Sequence, residues 1–129
     1  MRTISCFVLS LAIAGLAVTS QAQSASLEGL WSGSGTVRYQ GGSERVSCRV
    51  TYSPSSGRTW EFSANCATAS ISFQQRGRLI KVGASRYSGS VYNDQYSVAG
   101  KISVSVSGSR QSVRVSNPQG SASLTLRKR

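Results

Sequence analysis

A chain of 129 residues with a formal net charge of +11, no histidine and four carboxylates has room for one domain and carries a thin acid–base inventory. Most hydrolytic and proton-transfer mechanisms need a base poised near neutral pH or a pair of carboxylates, so the composition argues against an enzyme.

The first elements belong to export rather than to the fold. Met1-Arg2 is a short positive start, and Cys6 to Val18 is an apolar run broken by Ser10 and Gly15. Ser20-Gln21-Ala22 then sets small residues at the −3 and −1 positions of a cleavage site before Gln23. This three-part pattern predicts a cleavable signal peptide over residues 1–22 and a single domain over residues 23–129. A buried N-terminal helix is the alternative. The run is short and wrongly flanked for a membrane anchor, and nothing after Val18 reaches a spanning length. Export places the mature chain in a periplasm or outside the cell. Cleavage also reduces three cysteines to Cys48 and Cys66, a pair that reads as one disulfide in an oxidising compartment, with two separate buried thiols as the alternative. In the chain-entropy view such a bridge contributes on the order of 3 kcal/mol.

The remaining chain alternates with period two and shows no convincing helical periodicity. Trp31, Gly33, Gly35, Val37 and Tyr39 share one face of a first strand, with Ser32, Ser34, Thr36 and Arg38 on the other. Val46, Cys48, Val50 and Tyr52 point inward from a second, leaving Arg45, Ser47, Arg49 and Thr51 outward. Trp60, Phe62, Ala64 and Cys66 point inward from a third. Between these two, Pro54-Ser55-Ser56-Gly57 punctuates a hairpin. Pairing Cys48 with Cys66 sets Tyr52 opposite Phe62 and Val50 opposite Ala64, so bridge and hydrophobic pattern ask for one register. Ile71 and Phe73 predict a short strand ending at Gln75-Arg76-Gly77, and Leu79 to Val82 another. Tyr87, Gly89 and Val91 follow, turning at Asn93-Asp94. The longest run carries Tyr96, Val98, Gly100, Ile102, Val104 and Val106 on one face. Val113 and Val115, a turn at Asn117-Pro118-Gln119-Gly120, and Ala122, Leu124 and Leu126 complete the chain. The pattern predicts an all-β fold, an antiparallel up-and-down meander of about eight strands. Alternate inward glycines at Gly33 and Gly35 favour a barrel over a sandwich. Outward Ser, Thr, Gln and Arg do not suit the lipid-facing wall of an outer-membrane barrel.

Gly29-Leu30-Trp31 at the head of the first strand and Arg127 at the end of the last resemble the calycin group, the lipocalins and avidins. The resemblance implies that Trp31 packs under Arg127 at a closed barrel end, which makes Gly29, Trp31 and Arg127 structural. It carries over no ligand-binding residue. The chain is short for a lipocalin and lacks that family's C-terminal helix. With Trp31 and Trp60 as its two tryptophans, it has no counterpart of the avidin aromatic cage.

Glu28, Glu44, Glu61 and Asp94 fall in lead-in, turn or outward positions and read as surface charges. No catalytic residue, metal or cofactor is expected; Lys81 and Lys101 are formal bases that nothing marks. Twelve arginines stand against three lysines, and the guanidinium fork suits carboxylate and phosphate groups. Arg38, Arg45 and Arg49, outward on neighbouring strands, form a candidate anion-binding patch. Arg76 and Arg78 flank a turn, Arg110 and Arg114 lie near another, and Arg127-Lys128-Arg129 is a basic tail. Phosphorylated envelope lipid, acidic polysaccharide and nucleic acid are the partners of that chemistry; the alternative is a basic surface of the kind common among small exported proteins, since the charges are spread along the chain. Nucleic acid fits least well, because the aromatics face inward except Tyr92. The inward aromatics Trp31, Tyr39, Tyr52, Trp60 and Tyr96 either flank a ligand cavity or form the core. The expected function is an exported, non-catalytic β-barrel binding protein for a small ligand or an anionic envelope component. The alternative is a protein-interaction module, such as an inhibitor of a secreted acidic hydrolase acting through a loop at Ser85–Ser90.

Overall fold

The computed structural model describes residues 26–129 together with Gly15. The expected export segment, residues 1–22, otherwise lies outside the described residues. Eight strands follow one another: β1 (Gly29–Tyr39), β2 (Gly42–Pro54), β3 (Thr59–Ala67), β4 (Ser72–Lys81), β5 (Arg86–Asn93), β6 (Val98–Ser107), β7 (Arg110–Asn117) and β8 (Gly120–Lys128). Each pairs antiparallel with the next, and β8 pairs back onto β1, so the sheet closes as an up-and-down barrel. Closure leaves no strand edge for another chain to pair with. No helix occurs among the described residues.

The β2–β3 hairpin has the register that the cysteines and the hydrophobic pattern demand. Cys48 lies opposite Cys66, Val50 opposite Ala64 and Tyr52 opposite Phe62. The disulfide joins Cys48 to Cys66. Gly57 supplies the positive φ of 57° that the turn requires.

Two expected boundaries shift. The two short strands expected on either side of Gly77 are one continuous β4, and Ile71 precedes it as an exposed loop residue. Gly77 is a place of close approach rather than a turn: a Cβ there would strike the Ser90 carbonyl oxygen and the Phe62 ring. Tyr96 leaves the long run as well. The Asn93 side-chain oxygen accepts the Tyr96 backbone N–H at 3.1 Å and holds a turn at 94–97, so β6 begins at Val98.

The closing seam depends on Gly33 and Gly35. A Cβ at Gly33 would strike the Thr125 carbonyl oxygen, and one at Gly35 the Ser123 carbonyl oxygen, so β8 lies against bare β1 backbone. At the barrel end where β1 begins, Leu27 and Trp31 are fully buried, and the Trp31 indole N–H donates to the Leu27 carbonyl at 3.0 Å. The cation over Trp31 is Lys128, with its ammonium 5.8 Å from the ring centroid, and not Arg127. The reason is strand parity: Leu124, Leu126 and Lys128 share one phase, which turns Arg127 outward opposite Ser32.

Candidate functional site

The barrel interior is occupied by its own side chains. Trp31, Val46, Tyr52, Leu79, Val104 and Leu126 are buried there beside the disulfide and Phe62. Tyr52 donates its hydroxyl proton to Gln111 Oε1 across the core. Burial pushes the Tyr52 phenol well above its ordinary range.

The five aromatics expected to flank a cavity are divided between the barrel ends. Trp31 is 0% exposed and part of the core beneath Leu27. Tyr52 is hydrogen-bonded inside, and the half-buried Trp60 meets Tyr87 edge-on at 6.2 Å. Tyr39 and Tyr96 sit at the opposite end with exposures of 45% and 48%. They reach solvent because β1 ends at Tyr39 and the β5–β6 turn lifts Tyr96 off the wall. Ser85–Ser90 is mostly wall rather than loop, since Arg86–Ser90 belong to β5.

The outer wall carries several concave surfaces, among them one of about 680 Å³ over β2 to β5. A groove of about 830 Å³ crosses β1 to β4, lined by Ser32, Ser34, Ser47, Arg49, Asn65, Ala67, Ser72 and Gln74. Small outward residues leave the floor low, and Gly33, Cys48 and Cys66 also line it. Arg129 closes one end and Asp94 the other. Arg129 is anchored by its backbone N–H to the Leu30 carbonyl at 2.9 Å and by Nε to Ser32 Oγ at 2.6 Å. Asp94 is neutralised by Arg76 at 3.0 Å.

The three candidate anion-binding arginines separate. Arg38 faces Ser43 and Arg45 faces Thr36, so these two are diagonal neighbours near one barrel end. Arg49 faces Ser32 and lies in the groove with Arg129. Barrel closure sets Arg127 on the other side of Ser32, and β7 sets Arg110 opposite Arg127. Arg110 thus belongs to β7 and Arg127 to β8, rather than to a turn and a tail.

The two ion pairs among the described residues, Arg76–Asp94 and Arg78–Glu61, join β4 to the β5–β6 turn and to β3. Glu44 instead accepts a hydrogen bond from Ser70 at 2.8 Å. Arg49, Arg110, Arg127 and Arg129 have no carboxylate partner among the described residues.

No protein-family model and no curated protein matches the chain. Among solved structures it is similar to a redesigned β-barrel, mFAP1, bound to DFHBI. That match has a TM-score of 0.68 at 11% identity, covering 79% of this chain and 94% of the other. A second redesigned barrel matches with a TM-score of 0.68 at 14% identity, over 86% of this chain and 99% of the other. A de novo designed fluorescence-activating β-barrel gives 0.62 at 14% identity, over 79% and 93%. The likeness is one of fold. It confirms a small closed barrel and does not single out the calycins.

Proposed function

We propose that this chain is an exported, non-catalytic binding protein that takes an anionic ligand on its outer wall, in the groove across β1 to β4. One observation carries the reading: the groove combines hydroxyl and amide side chains with Arg49 and the anchored Arg129, while buried side chains occupy the interior. Guanidiniums supply paired donors for carboxylate, sulfate or phosphate, and Ser and Asn groups supply the bonds that a sugar backbone uses. The designed barrels support a binding role for such a scaffold, one of them being bound to DFHBI. The Cys48–Cys66 bridge supports an oxidising compartment. The calycin likeness adds a closed end at Trp31 and no ligand site.

Titration calorimetry with tetragalacturonate and with its neutral, fully methyl-esterified form tests the reading. The acidic sugar should bind and the neutral one should not. Arg49→Gln, at an exposed wall position, should weaken binding by about tenfold, the equivalent of one charged hydrogen-bonding partner. Equal binding of the two sugars, or wild-type affinity in Arg49→Gln, would contradict it.

A further inference from the structure

Arg110, Arg127, Ser32 and Arg49 occupy one row on the outer wall, each directly opposite the next on β7, β8, β1 and β2. The serine in that row carries a cation too, because the Arg129 guanidinium is bonded to its hydroxyl. Four guanidiniums thus lie along four adjacent strands, whose step is roughly 4.8 Å, with Arg129 reaching from the end of β8 to the β1 position. The groove holds only the Arg49 and Arg129 end. Arg127 and Arg110 continue the line beyond it.

The row works against the fold. Like charges directly opposite one another in a sheet repel, and Arg110 faces Arg127 with no carboxylate partner among the described residues. The neighbouring row meets the same backbone requirements with Ser112, Thr125, Ser34 and Ser47. A local conflict where a neutral hydroxyl would serve is the kind of departure that functional surfaces carry.

We infer that the row is a track for an acidic polysaccharide, which lays its anionic groups across successive strands while its hydroxyls meet the groove. The inference rests on the groove reading and extends it from a pocket to a linear polymer. Single-stranded nucleic acid has the charge but finds no aromatic platform along the row, where bases would otherwise stack.

Affinities of tetragalacturonate and dodecagalacturonate, measured over a range of salt, decide the matter. Heparin fragments of the same lengths and an oligothymidylate of matched charge form the other arms. The wild-type protein should bind the longer galacturonate at least about tenfold more tightly than the shorter, with a steeper salt dependence. Arg110→Gln should remove most of that gain and reduce the salt slope by about one, leaving the tetramer unaffected. A heparin preference would assign sulfate, and a galacturonate preference carboxylate, as the group recognised. The track is overturned if the wild-type protein gains nothing with length, or if Arg110→Gln binds the dodecamer as the wild type does. It is also overturned if oligothymidylate binds more tightly than both sugars. Wild-type tetramer affinity in Arg49→Gln would instead defeat the groove reading itself.

Discussion

Arg110 and Arg127 face each other directly across the β7–β8 hairpin, two guanidiniums on one side of a sheet with no carboxylate between them. Removing one relieves repulsion. Arg110→Ser should therefore raise stability by about 0.2–1 kcal/mol in low salt, measured by urea unfolding. The gain should shrink as salt screens the pair. A loss of stability, or a gain indifferent to salt, would show that the pair is not in tension.

The cation over Trp31 gives a second test. Lys128→Ala should cost about 0.5–1 kcal/mol through the lost ring contact. Arg127→Ser should cost nothing, because Arg127 points outward beside Ser32. Thermal melts of the two variants separate these roles. The reverse order would restore the arginine to the position that the calycin likeness gave it.

Much of this arrangement was legible in the sequence. The turn at Asn117–Gly120 fixes the β7–β8 register by counting outward from its centre, and that count already sets Arg110 against Arg127. The Cys48–Cys66 hairpin yields to the same arithmetic. Pairing of β1 with β8 does not, because no turn connects them. The approach of Arg127 and Arg129 to Ser32 and Arg49 arises from closure alone. Gly77 and Tyr96 misled for local reasons: a glycine that admits the Phe62 ring looks like a turn, and a turn tyrosine looks like a strand residue.

Tyr52 and Gln111 form a polar bridge in an otherwise apolar interior, and Gln111 Nε2 is buried there without a protein partner. Tyr52→Phe strands a second buried atom and should cost about 1–3 kcal/mol. Tyr52→Phe with Gln111→Leu should recover much of that loss. Chemical unfolding of the single and double variants measures the coupling. The folded phenol holds its proton above the ordinary tyrosine value of 10.0, so the unfolded chain binds fewer protons once the pH passes that value. Stability should be steady below it and fall above it, less steeply in the double variant. A flat alkaline profile in the wild-type protein would contradict the burial of this group.

The β1–β8 seam predicts a larger effect. Gly35→Val places a branched side chain against the Ser123 carbonyl oxygen, which cannot move without parting the strands. The expected loss is at least about 3 kcal/mol, at the upper end for overpacking because backbone is the obstacle. Loss of the cooperative melt, followed by circular dichroism, would report an opened barrel, whereas a wild-type melt would show that the seam accommodates side chains.

Binding on the outer wall is tested most directly by side-chain NMR during titration with tetragalacturonate. The Asn65 and Gln74 amide signals and the Arg49 and Arg129 Nε–H signals should shift together and saturate, while the interior methyls of Val104, Val113 and Leu124 stay in place. Shifts confined to those interior methyls, with the groove signals unmoved, would place the ligand inside the barrel and contradict the account.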